Sequence, residues 1–549
     1  EIYNYRELRS ELESRGHRFR TQTDTEVLVH LYEERGTDFL KHLNGMFAIA
    51  LWDARKAQLL LARDRLGIKP LYTAVVGDIL IFASELKAIL QHPEVSRQLD
   101  TTAIAEYLTY EYIPAPRTAF AGVKKLCPAT YAIWRDGQLK VHTYWDVAFQ
   151  ADESLRDEGV CAEAIRERLS ESVRLRLRAD VPIGVLLSGG MDSSSIVAAM
   201  HHLNVPINTF SIGFAEREYD ELDAATAVAR AFGARHHALR LSAPDVIRLL
   251  PAIIGVLDEP LADASVVPTF LVSKLARQHV KVALSGDGGD ETFGGYETYR
   301  AHKLARVYRR LPRLVQAGVR LGVEVLPVSR SHRGLSFKAR KFASGASFRP
   351  AVANALWWGA YTPEQRTAIL GPAVRGGNGC ERFEAVRRVE ERFKGSELLD
   401  LIAYCDLKLY LQDDLLVKVD RMSMANSLEV RVPFLDHEMV EFAATIPACL
   451  RIRGLRLKHM LKKAMEPWLP RGIAARPKRG FDIPLDAWMR GPLREFVYDT
   501  LRGASIIRDG LINGEMVETL IEDHMRKRRN NRQLLWPLIV LESWRQRYG

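Results

Sequence analysis

A glycine- and serine-rich segment carries the residues with the clearest chemical potential. Residues 188–194 read SGGMDSS and follow the apolar run 185–187. Glycines let a ligand approach the backbone closely, and serine hydroxyls with free backbone N–H groups at a helix start bind an anion. Asp192 stands where Mg²⁺ held by phosphates needs a carboxylate. The whole string predicts a phosphate site, whereas SGG alone would favour a plain strand-to-helix turn.

A second segment of the same kind lies about a hundred residues further on. Residues 284–291 read LSGDGGDE, and FGGY follows at 293–296. Asp287, Asp290 and Glu291 lie within five residues, and three carboxylates repel one another unless a cation or a cationic substrate shares the site. A solvated acidic turn is the plain alternative. Two such turns after apolar strands favour a site for a metal and a nucleotide.

The elements around both segments predict a parallel sheet covered by helices. Apolar runs of strand length at 185–187, 209–212 and 281–284 alternate with helical patterns from about residue 194 and over 222–232. Strands that alternate with helices are typical of parallel sheets. In such sheets ligands bind at the carboxyl ends of the strands, where both segments begin. Beyond residue 298 the patterns are mainly helical.

The first part of the chain has a different pattern, typical of an α+β domain with short antiparallel strands. Helices are predicted over 5–16 and 25–34, with Asp24 at the N-cap position of the second. Strands are predicted over 46–52 and 59–62, and residues 131–134 and 139–141 predict a hairpin. The polar stretch 148–159 marks the boundary. We therefore predict domains over 1–146 and 160–549, joined by a linker over 147–159.

Composition excludes several other classes of protein. The 549 residues are 47% hydrophobic and 27% charged, with a net charge of +10. Twelve of the basic residues and one acid fall between Arg300 and Lys341, where a solvated helix face is favoured over a nucleic-acid surface. The five cysteines form no CxxC pair, which argues against a zinc site or a disulfide framework and favours the cytoplasm. No apolar run predicts a membrane span.

These motifs resemble the glutamine-hydrolysing asparagine synthetase family. The resemblance rests on SGGMDSS, on LSGDGGDE with FGGY, and on residues 422–425 and 429–436. In the first part, residues 1–4, 44–48, 62–72 and 82–87 resemble the class II amidotransferase domain of that family. The resemblance implies an Ntn-hydrolase-like domain of antiparallel sheets. It also implies a following α/β PP-loop ATP-pyrophosphatase domain with a helical C-terminal part.

The resemblance also implies a reaction and a set of binding residues. ATP and a carboxylate form an acyl-adenylate and pyrophosphate, and ammonia released from glutamine then displaces AMP. Adenylation is needed because a carboxylate oxygen is a poor leaving group. The residues implied to bind Mg²⁺ are Asp192 and Asp290. Those implied to bind ATP and pyrophosphate are Leu186, Ser188, Gly189, Gly190, Asp192, Ser193, Ile212, Ser285 and Gly286.

Three further residues are implied to act in catalysis. The resemblance implies that Lys458 stabilises the pentavalent phosphoryl transition state, although the residue pattern alone favours a solvated helix lysine. Tyr296 either assists near the acyl-adenylate or is a core aromatic residue at a helix start. Asp287 stands where some members of the family carry glutamate, which leaves the identity of the acceptor open.

The glutamine site is expected in the first domain. By resemblance, Asp24 binds the α-amino group of glutamine and Glu1 belongs to the same pocket. The family nucleophile is a cysteine at the first position of the mature protein, but the first cysteine here is Cys127. We therefore expect the printed chain to use free ammonia and not glutamine.

Several alternatives stay open at this point. Aspartate is the favoured acceptor, but another carboxylate, such as a uronic acid of a glycan, or an internal ring closure would use the same residues. A PP-loop enzyme that modifies nucleic acid is disfavoured, as is a catalytically inactive regulatory homologue. The expected partners are small molecules (ATP with Mg²⁺, an acid, and glutamine or ammonia), with no nucleic acid and with a homodimer as one option.

Overall fold

The front part of the molecule, residues 1–146, contains two antiparallel sheets. The computed structural model describes residues 1–326, 334–375, 383–476, 480 and 482–549. One sheet has the strand order β1-β2-β6-β7 and the other β4-β3-β5. The strands are β1 (Ala48–Asp53), β2 (Gln58–Arg63), β3 (Tyr72–Val76), β4 (Ile79–Ala83), β5 (Val123–Lys125), β6 (Thr130–Arg135) and β7 (Gln138–Thr143). The predicted hairpin is confirmed as β6–β7, with Asp136 and Gly137 at positive φ in its turn.

Four α-helices surround these sheets. They are α1 (Tyr5–Ser14), α2 (Asp24–Arg35), α3 (Leu86–Ile89) and α4 (Thr101–Tyr110), and a 3-10 helix spans Gly36–His42. The predicted helices at 5–16 and 25–34 are therefore confirmed. The N-cap prediction for Asp24 is wrong, because Thr23 is the N-cap residue and Asp24 begins the helix. The Asp24 carboxylate instead accepts a hydrogen bond from the backbone N–H of Ile2, at 2.9 Å.

The second part is built on a five-stranded sheet in which every neighbouring pair is parallel. Its order is β10-β9-β8-β11-β12. The strands are β8 (Ile183–Leu186), β9 (Asn208–Phe214), β10 (Arg235–Leu241), β11 (Val282–Leu284) and β12 (Glu429–Arg431). Helix α5 (Glu158–Arg176) precedes β8, and the strands are followed by α6 (Met191–His202), α7 (Leu222–Ala231), α8 (Ala243–Leu257), α9 (Val266–Arg277) and α10 (Gly289–Phe293). The predicted α/β class is confirmed.

The rest of the described chain is mainly helical, as predicted. Its α-helices are α11 (Glu297–Tyr308), α12 (Arg313–Glu324), α13 (Leu335–Gly345), α14 (Pro350–Trp358), α15 (Pro363–Ile369), α16 (Pro372–Arg375), α17 (Glu384–Arg392), α18 (Leu398–Cys405), α19 (Leu416–Met424), α20 (His437–Thr445), α21 (Ala448–Arg451), α22 (His459–Met465), α23 (Leu485–Arg490), α24 (Arg494–Leu501), α25 (Ser505–Arg508), α26 (Gly514–Met525) and α27 (Arg532–Tyr548). A π-helix spans Asp406–Leu415, and 3-10 helices span Glu153–Arg156 and Pro433–Leu435. Among the described helices, none is both long and apolar enough to cross a bilayer.

One apolar core continues from the front part into the second. Tyr107 and Leu108 of α4 belong to the same buried cluster as Leu250 of α8 and Trp544 of α27. The Tyr107 hydroxyl also donates a hydrogen bond to the carbonyl oxygen of Pro537, at 2.8 Å. Because burial of apolar surface is the main favourable term in folding, this shared core fixes the position of α4 against the second part.

A buried ion pair lies beside the same interface. Arg176 Nη1 lies 2.7 Å from Asp436 Oδ2, and both side chains are at most 4% exposed. Asn44 of the front part donates to the same carboxylate from 3.1 Å. Burial alone would raise the pKa of Asp436, but the Arg176 guanidinium and its hydrogen bond hold that pKa below its usual value.

The first prediction concerns Asp436→Asn. The substitution leaves Arg176 buried without a counter-charge, so we expect the free energy of unfolding to fall by about 3–5 kcal/mol at pH 7. Because the pKa of Asp436 is lowered in the fold, this difference from wild type should disappear as the pH falls through that pKa. Denaturant unfolding followed by circular dichroism at several pH values measures it.

The matched control is Glu7→Gln. Glu7 also pairs with the second part, through Arg178, but its side chain is 56% exposed. An exposed pair contributes at most about 1 kcal/mol, so the control should unfold nearly as wild type does. Equal midpoints for Asp436→Asn and wild type at pH 7 would show that the buried pair is not needed for stability.

Candidate active site

The two glycine-rich segments leave neighbouring strands of the parallel sheet. Leu284 of β11 lies opposite Val185 of β8, so both strands end at the same edge. Residues 187–190 connect β8 to α6, and residues 285–288 connect β11 to α10. The sheet therefore brings together two segments that are far apart in the sequence, at the edge where open α/β sheets bind ligands.

Glycine is required where these two turns touch. A Cβ atom at Gly286 would lie 2.8 Å from the backbone nitrogen of Ser193, and one at Gly289 would lie 2.6 Å from Asp192 Oδ1. Both distances are shorter than real Cβ contacts. A side chain at either position would therefore push the two turns apart and move Asp192 away from the second turn.

The first turn presents hydroxyl groups and backbone donors at the start of α6. Ser188 and Ser193 place their Oγ atoms 3.1 Å apart, and the backbone N–H of Ser188 donates to Ser193 Oγ from 3.2 Å. The helix begins at Met191, three residues before the predicted start, so Asp192 and Ser193 lie in its first turn. An anion at this end would meet the positive end of a 12-residue helix.

Lys458 binds the carboxylates of both turns. Its Nζ atom lies 2.6 Å from each carboxylate oxygen of Asp192 and 2.5 Å from Asp290 Oδ1. The lysine is only 4% exposed, so the solvated helix lysine that the residue pattern favoured is wrong. The physical reason is that the two carboxylates form a buried negative site, whose charge the ammonium group of Lys458 partly neutralises.

Local backbone geometry holds Lys458 in this position. It precedes α22 and has a φ of 52°, in the left-handed region. Gly295 lies against the same contact, because a Cβ atom there would be 1.8 Å from Asp290 Oδ1 and 2.1 Å from Lys458 Cε. The FGGY string is therefore part of the site because its second glycine leaves room for the ion pair.

A cavity of about 1170 Å³ collects most of the sequence-predicted residues. Those that line it are Leu186, Ser188, Asp192, Ser193, Ile212, Ser285, Gly286, Asp287, Asp290 and Tyr296. An adjoining cavity of about 950 Å³ shares Ser188 and Asp192 and is lined by Gly189, Gly190 and Lys458. The second cavity also contains the cationic side chains of Lys462 and Arg476, which sequence reasoning did not single out.

Sequence reasoning also did not predict that Trp358 and Tyr410 form an aromatic wall of the larger cavity. The rings of Trp358 and Tyr410 stack with centroids 4.2 Å apart, and Tyr296 meets Trp358 edge-on at 4.5 Å. Tyr410 belongs to the π-helix, whose wider spacing no helical pattern in the sequence indicates. Tyr296 is both an aromatic residue at a helix start and a wall residue, so the two readings of it do not exclude each other.

Charged residues from outside the motifs complete this wall. Glu111, which directly follows α4 of the front part, lines the cavity together with Lys341 and Arg532. Burial raises the pKa of Glu111 and lowers that of Lys341, so both lie where charge is costly. No motif in the sequence marks these residues, because they come from three distant segments.

The residues predicted to bind glutamine lie elsewhere, in the front part. The backbone nitrogen of Glu1 is 3.9 Å from Asp24 Oδ2, and the Glu1 carboxylate is 3.5 Å from Arg431 Nη2. Burial raises the pKa of the thiols of Cys127, Cys161 and Cys405, so none of these three is an activated thiolate. Cys380 lies outside the described residues.

The site as a whole has the features of an α/β domain that handles nucleotide phosphates. It combines a helix start with serine hydroxyls, paired carboxylates, and a buried lysine at the carboxyl edge of a parallel sheet. These groups can bind an anionic chain of phosphates and balance charge that develops on it.

Comparison with known proteins agrees with this class. The family described as asparagine synthase matches residues 164–546, and the family described as glutamine amidotransferase domain matches residues 1–145. Asparagine synthetase [glutamine-hydrolyzing] 1 of Bacillus subtilis is 33% identical over 99% of this chain and 84% of its own length. Asparagine synthetase [glutamine-hydrolyzing] 3 of the same organism is 32% identical over 87% and 74%. An amidase of Gibberella zeae is 26% identical over 96% and 82%.

The chain therefore belongs to the asparagine synthase family, with a glutamine amidotransferase domain in its front part. The resemblance that the sequence motifs indicated is confirmed. The family uses ATP, which agrees with the phosphate-binding features at the sheet edge.

Glu291 yields the second prediction. Burial, with a smaller effect from Asp290, raises its pKa to about 8, and the Tyr296 hydroxyl donates to its carboxyl group. The folded protein therefore holds a proton here between about pH 4.5 and 8 that the unfolded chain releases, and this stabilisation is lost as the pH rises. Glu291→Gln removes that loss. We expect the difference in melting temperature, Glu291→Gln minus wild type, to be larger at pH 9 than at pH 5.

The control for this experiment is Glu297→Gln, which replaces an exposed carboxylate on the same segment. Its melting temperature should follow the wild-type pH profile. A constant difference between Glu291→Gln and wild type across this pH range would mean that Glu291 is not protonated in the neutral folded protein.

Proposed function

We propose that this chain is an ATP-dependent amide ligase that adenylates the side-chain carboxylate of aspartate and replaces AMP with ammonia to form asparagine. The observation that carries the proposal is the ion pair of Lys458 with Asp192 and Asp290, at the point where two glycine-rich turns meet. Family membership supports the reaction type, and the charge arrangement supports the site at which it occurs.

In the first step, an oxygen of the acceptor carboxylate bonds to the α-phosphorus of ATP, and the bond from that phosphorus to pyrophosphate breaks. Negative charge grows on the phosphate oxygens as this happens. Lys458 supplies positive charge there, while Ser188, Ser193 and the start of α6 hold the departing pyrophosphate. Leu186, Ile212, Ser285 and Gly286 line the side of the cavity proposed for adenosine.

Asp192 and Asp290 are also the proposed ligands of Mg²⁺. Carboxylate oxygens suit this ion, and the carboxylates of Asp192 and Asp290 lie close enough together for both to contact Lys458. When bound, the ion would neutralise phosphate charge.

In the second step, the nitrogen of ammonia bonds to the acyl carbon, the bond from that carbon to AMP breaks, and a proton is lost. Tyr296 and Asp287 line the same cavity as the phosphate-binding turns, which supports a role for them near the acyl group. In the front part, we propose that Asp24 and Glu1 bind glutamine as the source of ammonia. These two assignments rest on the resemblance. The cysteine nucleophile that the resemblance implies for glutamine hydrolysis stays a prediction.

The acceptor is the least constrained feature of the proposal. The resemblance implies a glutamate in some members where this chain has the shorter Asp287, and the cavity of about 1170 Å³ is lined by residues beyond the phosphate-binding turns. A member of the family that amidates another acid is therefore the second candidate. The proposed domains are residues 1–146 and 160–549 with a linker over 147–159, and the homodimer and the cytoplasmic location also stay predictions.

The third prediction concerns the acceptor itself. ATP–pyrophosphate exchange measured with a panel of carboxylic acids reports adenylation without the amide step. We expect aspartate to stimulate exchange at least about tenfold more than glutamate, succinate or a uronic acid, since one methylene in a shaped site changes specificity by this factor. If a different acid stimulates exchange more than aspartate, that acid replaces aspartate as the acceptor.

The fourth prediction concerns Lys458→Met. The variant keeps the side-chain length and loses the charge, so kcat with ammonia should fall at least about a hundredfold while ATP binding changes little. The matched control is Lys463→Met on α22, whose side chain is 43% exposed and pairs with Glu158. The control should retain kcat. Equal kcat values for the two variants would mean that Lys458 does not stabilise the charge that develops on the phosphate oxygens.

A further inference from the structure

Two histidines and a glutamate converge on the outer face of the front part. His17 follows α1, and His30 and Glu33 lie three residues apart on α2, so both face the same side of that helix. His17 Nδ1 lies 3.0 Å from His30 Nδ1, and Glu33 Oε2 lies 3.8 Å from His30 Nδ1. All three ligand atoms fall within 4.8 Å of one another.

These distances suit a transition-metal ion. With zinc–nitrogen bonds of about 2.0–2.1 Å in tetrahedral geometry, two imidazole nitrogens on one ion lie about 3.3 Å apart. The two Nδ1 atoms lie 3.0 Å apart, slightly less than that separation, so small rotations of the rings would admit the ion. Without an ion, one of the two Nδ1 atoms must carry a proton and donate it to the other, with the Glu33 carboxylate 3.8 Å from His30 Nδ1.

The outer nitrogens of both rings have carboxylate partners. His17 Nε2 lies 3.1 Å from Glu34 Oε1, and His30 Nε2 lies 3.7 Å from Glu26 Oε1. A carboxylate behind each ligating imidazole is the usual outer arrangement at metal sites, since it orients the ring and leaves the other nitrogen free to bind the ion. Three carboxylates around two imidazoles also favour a cation here.

The surrounding structure holds these groups in place and leaves a path to solvent. Glu26 accepts hydrogen bonds from the backbone N–H groups of Arg20 and Thr21, both at 2.7 Å, and Arg15 lies 2.8 Å from Glu34. His17 and His30 are only 18% and 17% exposed in their side chains, whereas Glu33 is 58% exposed. An ion can therefore enter from the Glu33 side without unfolding of the helix.

From this geometry we propose that His17, His30 and Glu33 bind one zinc-class divalent cation, with a fourth position open to water. The site is separate from the phosphate-binding cavity, none of whose lining residues belongs to it. A bound ion would tie the segment after α1 to α2, which begins at Asp24. Sequence reasoning missed the site because His17 and His30 are thirteen residues apart and match no metal-binding string.

The test is titration of the full, chelator-treated chain with Zn²⁺ against a chromophoric chelator, in buffer that contains millimolar Mg²⁺. We expect one equivalent to bind, and Mg²⁺ not to displace it, because nitrogen ligands favour zinc. Co²⁺ in place of Zn²⁺ should give visible absorption bands typical of tetrahedral coordination. No stoichiometric binding, or full displacement by Mg²⁺, would overturn the proposal.

Substitutions assign the ligands. His17→Asn, His30→Asn and Glu33→Gln should each weaken Zn²⁺ binding at least about tenfold, and Glu34→Gln, behind His17, should also weaken it by about tenfold. The control is His142→Asn, an exposed histidine of β7 in the same part of the molecule, which should bind as wild type does. Melting curves in chelator confirm folding of each variant. Unchanged affinity in the His17 and His30 variants would place the ion elsewhere and contradict the proposal.

Discussion

The ammonium group of Lys458 lies between two carboxylates that come from separate turns and offsets part of their charge. Asp192 and Asp290 would repel each other across the sheet edge, and in a buried site this repulsion is weakly screened. The contact with one lysine, at 2.5–2.6 Å, allows the turns to pack closely. It requires β8 and β11 to be neighbours and requires glycine at position 295, where a side chain would meet both charged groups.

The front part completes the large cavity as well as carrying its own predicted site. Glu111 follows α4 and lines the cavity, and α4 is fixed there by the core that it shares with α8 and α27. Asn44 and the Arg176–Asp436 pair add polar contacts to the same interface. A change in the packing of α4 would therefore alter the wall of the proposed synthetase cavity, which gives a structural route for coupling the two halves.

The larger cavity presents less negative charge than its number of acids suggests, and part of its wall is aromatic. Burial raises the pKa of Glu291, which lines this cavity, to about 8, so this carboxyl group carries little negative charge near neutral pH. The rings of Tyr296, Trp358 and Tyr410 contact one another and line the same cavity.

The sequence by itself determined the fold class, the family and the glycine-rich turns, because these depend on local patterns: apolar runs of strand length, helical spacing, and short strings such as SGGMDSS. The tertiary structure alone decided that Lys458 is buried, that Glu111 and Tyr410 enter the cavity, and that His17 meets His30. The physical reason is that a side chain's solvation and charge environment depend on neighbours from distant segments. A lysine beside a helix looks the same in sequence whether it faces water or two carboxylates, and only the packing of the sheet distinguishes the two.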